Sequence, residues 1–193
     1  IRGTGMIDFE LGWRAVPGFF SPEDGDMLQR AVLRAEPGTA VVELGAWCGR
    51  SLAAICEVLP PGVVLYSVDN YQEDAQTVPH ACGMTSAVAE ALRKLVAEHH
   101  HKENSLVRAE STAFGWAYTG PPVSVLFIDD HHSYEHVKEN LEAWIPQMAK
   151  KAAVLFHDYG NESYGIERAA KEVLPSTFLF AGLCSGVGVW VRT

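Results

Sequence analysis

Short apolar runs alternate with stretches of helical period along this chain, and that alternation constrains the fold more than any other feature. Runs of strand length fall at 40–44, 63–68, 105–109, 123–128 and 153–156, and most are continuously apolar, as strands buried on both faces are. Between them run stripes at spacings of three and four: Met27, Leu28, Ala31 and Val32; Val88, Leu92, Leu95 and Val96; Val137, Leu141, Trp144 or Ile145, and Met148. Strands joined by crossover helices form a parallel sheet, so the pattern predicts a doubly wound α/β fold. A late pair at 177–180 and 188–191, joined through glycines, reads as a hairpin that places an antiparallel strand near the C-terminus. Ser21-Pro22-Glu23-Asp24 supplies an N-cap, a first-turn proline and early acids, so a helix is predicted to open there.

With 193 residues and no linker-like stretch, the chain is expected to form one domain, 1–193, with 1–38 as an N-terminal cap and 39–193 as the core. It begins at Ile1 rather than Met, which leaves upstream residues as an expectation. A formal charge of -9 disfavours nucleic acid and acidic membranes as partners, since phosphate neutralisation needs clustered Lys and Arg. No apolar run reaches the roughly 20 residues of a membrane helix. Cys48, Cys56, Cys82 and Cys184 have no C-x-x-C spacing, so neither a zinc knuckle nor a disulfide framework is expected. Together these features predict a soluble, cytoplasmic protein. The segment 71–84 lacks a clean period and reads as a lid or a surface excursion, and His99, His100 and His101 read as an exposed helix end.

The chemistry-bearing residues fall at strand ends. The turn Gly45-Ala46-Trp47-Cys48-Gly49 follows the first core strand and precedes a helix near 51–59. Glycines permit close backbone approach to a ligand, and the helix start offers unpaired N–H groups. The second strand ends at Asp69, an interval at which an acid takes ribose hydroxyls in dinucleotide folds. The spacing is not G-x-G-x-x-G, and Glu43 in front of the turn would repel a pyrophosphate while suiting a cationic amino group. A nucleoside with an amino-acid tail fits better than a dinucleotide. The fourth run ends in Asp129-Asp130-His131-His132 and the fifth in His157-Asp158, which brings carboxylates and imidazoles to one rim.

The stretches VVELGAWCGRSL, LYSVDNY, VLFIDDHHSYEHVKENLEAW and VLFHDYGNESYGIERAAKEV resemble class I S-adenosylmethionine-dependent methyltransferases, in particular the small-molecule O-methyltransferases of the macrocin, or methyltransferase 24, type. The resemblance spans most of 40–173 and implies a Rossmann-like core. It places Glu43, Gly45 and Gly49, with Ala46, Trp47 and Ser51 of the same turn, against the methionine part of the cofactor. Asp69 and Asn70 would hold the ribose, Ser111 and Glu110 would lie near the adenine, and Asp129 would border the cofactor. Metal-dependent relatives imply a divalent cation, magnesium or another, on Asp129, His157 and Asp158; His157 stands where many of them carry an acid. His132 matches the histidine that some relatives use as general base, and His131 is the second candidate.

The resemblance implies O-methylation of an alcohol or phenol on a natural product or sugar. Phe9, Trp13, Phe19 and Phe20 are candidates for an acceptor pocket, for ordinary packing or for a contact between copies in a homo-oligomer. Two other readings stay open: a binding or assembly module without transferase activity, and a nicotinamide-dependent oxidoreductase, which the missing G-x-G-x-x-G disfavours.

Overall fold

The computed structural model describes residues 12–71, Lys94 and 105–193. The helical stripe at 88–96 (apart from Lys94), the three consecutive histidines, Phe9, Cys82 and all but Tyr71 of the segment 71–84 lie outside them. The elements in chain order are α1 (Pro22–Val32), β1 (Ala40–Leu44), α2 (Arg50–Val58), β2 (Val64–Asp69), β3 (Ser105–Arg108), α3 (Ser111–Ala117), β4 (Val123–Ile128), α4 (Tyr134–Trp144), β5 (Met148–Phe156), α5 (Ile166–Val173), β6 (Phe178–Cys184) and β7 (Val187–Arg192).

The strands form one sheet in the order β3-β2-β1-β4-β5-β7-β6. Strands β1 to β5 pair in parallel, and β7 is antiparallel to both β5 and β6. This is the doubly wound, mostly parallel sheet with an antiparallel strand near its end that the sequence predicts. Alternate strand residues feed two separate cores. Val41, Leu65, Val125, Phe127 and Leu155 pack with Leu28, Leu52 and Ile55 from α1 and α2. Val42, Leu44, Leu126 and Phe156 pack with Leu141, Trp144, Ile166 and Ala169 on the opposite face. Helices on both faces explain why β1 and β4 are buried along their whole length.

Strand bounds at β1 and β4 agree with the apolar runs, while β5 begins five residues earlier than expected. Its first residues include the exposed pair Lys150 and Lys151 and lack an apolar run. Met148, expected to extend the stripe of α4, instead opens β5. Pro146 lacks an N–H to donate, so the chain tightens into a 3-10 turn at Ile145–Gln147 and leaves the helix. Strand β6 runs on to Cys184 past a register shift between Phe180 and Gly182, a bulge that hid its length.

Helix α1 opens as expected. Ser21 accepts from the backbone N–H of Asp24, and Asp24 accepts from that of Ser21, the reciprocal capping box. The sheet order reverses between β1 and β4, and there the backbone after one strand passes close to that after the other. Gly45 has φ 89°, and a Cβ on it would lie 2.3 Å from the carbonyl oxygen of Asp129. Backbone bonds seal the junction, from Gly45 N to Val68 O at 2.9 Å and from Asp129 N to Leu44 O at 2.8 Å. Gly45→Ala is expected to cost about 3 kcal/mol or more, lowering the melting temperature by about 6–12 °C in a thermal denaturation scan.

Candidate functional site

The carboxyl ends of β1, β2, β4 and β5 enclose a cavity of about 1120 Å³ at the point where the strand order reverses, the usual ligand position in such sheets. Gly45, Ala46, Trp47, Ser51, Asp69, Asn70, Glu110, Ser111 and Asp129 of the expected cofactor set line it. His131, His132, His157 and Asp158 line it as well. Glu43 and Gly49 do not.

Glu43 is fully buried behind the turn. Its carboxyl accepts from Ser51 Oγ at 2.6 Å and from Ser67 Oγ, joining β1 to α2 and β2. Burial drives its pKa up to about 8; the two serines oppose the shift, and Asp129 and Asp69 add to it. The residue expected to meet a ligand's amino group therefore braces the turn from behind. Gly49, with φ 84°, is the left-handed N-cap of α2.

Asp69 holds the front of the same turn. Its Oδ2 accepts from Ala46 N at 2.8 Å and Trp47 N at 2.9 Å, and its Oδ1 accepts from Tyr71 N at 2.6 Å. These bonds fix Trp47 at φ 40°, a conformation uncommon for a bulky residue. The Trp47 ring stacks on exposed Phe19, with centroids 5.2 Å apart and planes 8° from parallel. Phe20 also borders the cavity, but Trp13 is core. Asn70 Nδ2 donates to Glu110 Oε1 at 2.8 Å across the ends of β2 and β3.

Behind Ser111 lies a cluster that strand-end reasoning passed over. Asp130 Oδ2 accepts from Ser111 Oγ at 2.5 Å and Asn140 Nδ2 at 2.8 Å, and lies 2.8 Å from His136 Nε2. The bond to Asp130 raises the His136 pKa. Asp130 Oδ1 is buried without a hydrogen-bond partner. His136 and Asn140 stand four residues apart on α4, one face of one helix, and that spacing was the available signal.

At the other end of the cavity, His132 Nε2 is buried without a hydrogen bond, 3.5 Å from Asp158 Oδ2 and 3.9 Å from Asp129 Oδ1. Tyr164 stacks on its ring at 4.5 Å, and Gly165 N donates to His132 O at 2.9 Å. His131 is exposed, its ring 5.4 Å from His136. His157 is buried and bonds Asp129 Oδ1 through Nδ1 at 2.9 Å. Burial disfavours its charge, but Asp129, Asp158 and Asp24 outweigh this and carry its pKa up to about 9. Burial also opposes the charge on Asp129, yet His157 and His132 leave its pKa below the usual carboxylate value.

The three residues expected to hold a metal, Asp129, His157 and Asp158, meet at this end of the cavity. His157 Nδ1 is turned onto Asp129 as a hydrogen-bond donor, which uses the lone pair and the oxygen that a cation would need. Among the described residues, no group of three or more His, Cys, Asp or Glu side chains is arranged to hold a metal ion. A correction concerns the thiols. Cys48 is disulfide-bonded, which the spacing of the cysteines does not predict. No helix among the described residues is long and apolar enough to cross a membrane.

The family described as methyltransferase domain matches residues 42–159, more than half of the chain. An uncharacterised protein from Sinorhizobium fredii is 28% identical over 131 residues, which is 65% of this chain but 14% of that protein's length. Among solved structures, a TDP-rhamnose 3'-O-methyltransferase of calicheamicin biosynthesis superposes with a TM-score of 0.61 at 18% identity, covering 87% of this chain and 76% of that one. The O-methyltransferase TomG from Streptomyces achromogenes, solved with S-adenosylmethionine, gives 0.62 at 14% identity over 88% of this chain and 79% of its own. At these identities the superpositions speak for the fold.

Because its pKa is raised on folding, Glu43 contributes stability that is fully present below its unfolded pKa of 4.5 and is lost as pH rises through about 8. Glu43→Gln removes that loss. The variant is expected to melt at or below wild type at pH 5 and about 3 °C or more above it at pH 9, read from parallel thermal scans.

Proposed function

The chain belongs to the methyltransferase 24-type domain family, and from that premise we propose that it methylates a hydroxyl of a small molecule with S-adenosylmethionine as donor. The observation that carries the reading is one cavity that holds, at one end, the glycine turn with Asp69 and Ser111 and, at the other, the half-buried imidazole of His132, whose Nε2 has no hydrogen-bond partner. When bound, the cofactor supplies a methyl group on a sulfonium, ready for in-line attack.

The chain's own residues do the rest. The braced turn at Ala46 and Trp47 seats the amino-acid tail, Asp69 and Asn70 face the ribose, and Ser111 with Glu110 borders the base. His132 Nε2 would take the proton of the acceptor hydroxyl, whose oxygen would receive the methyl group that the cofactor supplies. Asp158 and Asp129, 3.5 and 3.9 Å away, stabilise the imidazolium that results. Tyr164 holds the ring plane. His131 faces solvent and has no carboxylate within ion-pair distance among the described residues, which favours His132. Alignment of acceptor and donor supplies the larger part of the acceleration. The two structural neighbours, both O-methyltransferases, support an oxygen acceptor and a natural product or sugar as its class.

Calorimetric titration with S-adenosylhomocysteine is expected to give one micromolar site per chain. Absence of binding would overturn the reading and favour a non-catalytic binding module. With an acceptor in hand, His132→Ala is expected to lower kcat by about 100-fold or more and leave S-adenosylhomocysteine affinity within about threefold of wild type. Unchanged kcat would remove His132 as the base.

A further inference from the structure

Three acids converge behind the reacting end of the cavity, and a single side chain stands between them. Asp129 comes from the end of β4, Asp158 follows β5, and Asp24 reaches in from the first turn of α1. The His157 ring lies among them: Nδ1 is 2.9 Å from Asp129 Oδ1 and 3.6 Å from Asp158 Oδ2, and Nε2 is 3.8 Å from Asp24 Oδ2. Asp24 is 3% exposed and His157 is 7% exposed. Phe20 covers the ring at 5.4 Å.

We propose that the His157 side chain takes the place of a metal ion at this rim, holding Asp129, Asp158 and Asp24 together, so that the transferase works without a divalent cation. The inference rests on the reading of the cavity as a methyltransferase site, and its support is geometric. Nδ1 is committed to Asp129 by a hydrogen bond, and Nε2 points away from Asp129 and Asp158 to the buried side, 3.8 Å from Asp24. The acids have other commitments as well. Asp24 Oδ1 accepts from Gly186 N at 2.8 Å, and its Oδ2 accepts from Ser21 Oγ at 2.6 Å and from Ser21 N at 3.1 Å. Magnesium requires several oxygen ligands in near-octahedral array, and here the central volume is filled by an imidazole.

Two consequences distinguish this arrangement from a metal site. First, a buried ring capped by Phe20 presents no open coordination position, so it neutralises the acids but does not bind or polarise the acceptor oxygen. Deprotonation then falls to His132 alone. Second, His157 acts as a positioning residue: it fixes the rotamer of Asp129, which faces both the cofactor end of the cavity and His132.

The test is metal uptake, read without any assay of turnover. Chelator-treated wild-type protein is titrated with Mn2+ while the electron paramagnetic resonance signal of the free ion is followed. A parallel titration with Co2+ is followed by ligand-field absorption. Wild type is expected to take up neither ion stoichiometrically. His157→Asp, which replaces the ring by a third carboxylate at the cavity face, is expected to bind one Mn2+ per chain at least tenfold more tightly than wild type. His157→Asn, which vacates the centre without adding an acid, is the second variant and is expected to move in the same direction. Stoichiometric uptake by wild type that Asp129→Asn abolishes overturns the proposal, as do folded His157 variants that bind no better than wild type. S-adenosylhomocysteine titration of the same samples separates the outcomes: wild type that binds the nucleoside and also takes up metal refutes this inference alone, whereas loss of nucleoside binding refutes the methyltransferase reading.

Discussion

The site depends on a close contact between two strand ends. Where the sheet order reverses, the backbone after β1 passes so near that after β4 that no side chain fits at Gly45. Everything on the cavity floor is referred to this contact. Asp129 is placed by its backbone bond to Leu44, and the turn in front is held on one side by Glu43 and on the other by Asp69. The glycine that a ligand-centred reading assigns to close approach of a cofactor is first required by the protein's own backbone. The two demands are compatible, since a turn without a Cβ serves both.

The acids around this floor are stabilised in three different ways. Glu43 has no ion-pair partner among the described residues and is held largely protonated at neutral pH by burial, its oxygens satisfied by serines. Asp129 stays ionised because two imidazoles face it. Asp130 is supplied with three donors on one oxygen, leaving the other unsatisfied. Sequence shows three acids near strand ends; only the packing around each decides which of them is charged, which is neutral and which is spent on its neighbours.

Legibility in the sequence follows the same division. Fully buried strands announce themselves, so β1 and β4 were read to the residue. The start of β5, with its two exposed lysines, was not, and neither was α3, a seven-residue helix whose Gly115 makes room for Trp144. At the site, the strand-end acids and histidines were found because their position along the chain is itself the signal. Asp24 was visible only as a helix cap: its approach to His157 joins residues 133 positions apart, and no local pattern encodes that. Nor does sequence reveal which way a carboxylate points: Glu43 turns onto Ser51 and Ser67 behind the turn, and Asp129 faces His157 and His132.

Asp24 has one further bearing, on recombination within the family. The same carboxylate caps α1, receives the N–H of the turn between β6 and β7, and backs His157. An exchange of N-terminal segments, cut in the loop between α1 and β1 to alter acceptor choice, would therefore transplant one wall of the reaction centre along with the pocket. Chimeras of this domain inherit their rim electrostatics from the donor of the first helix, and a parent lacking an acid at that cap leaves the histidine of the other parent facing an empty side.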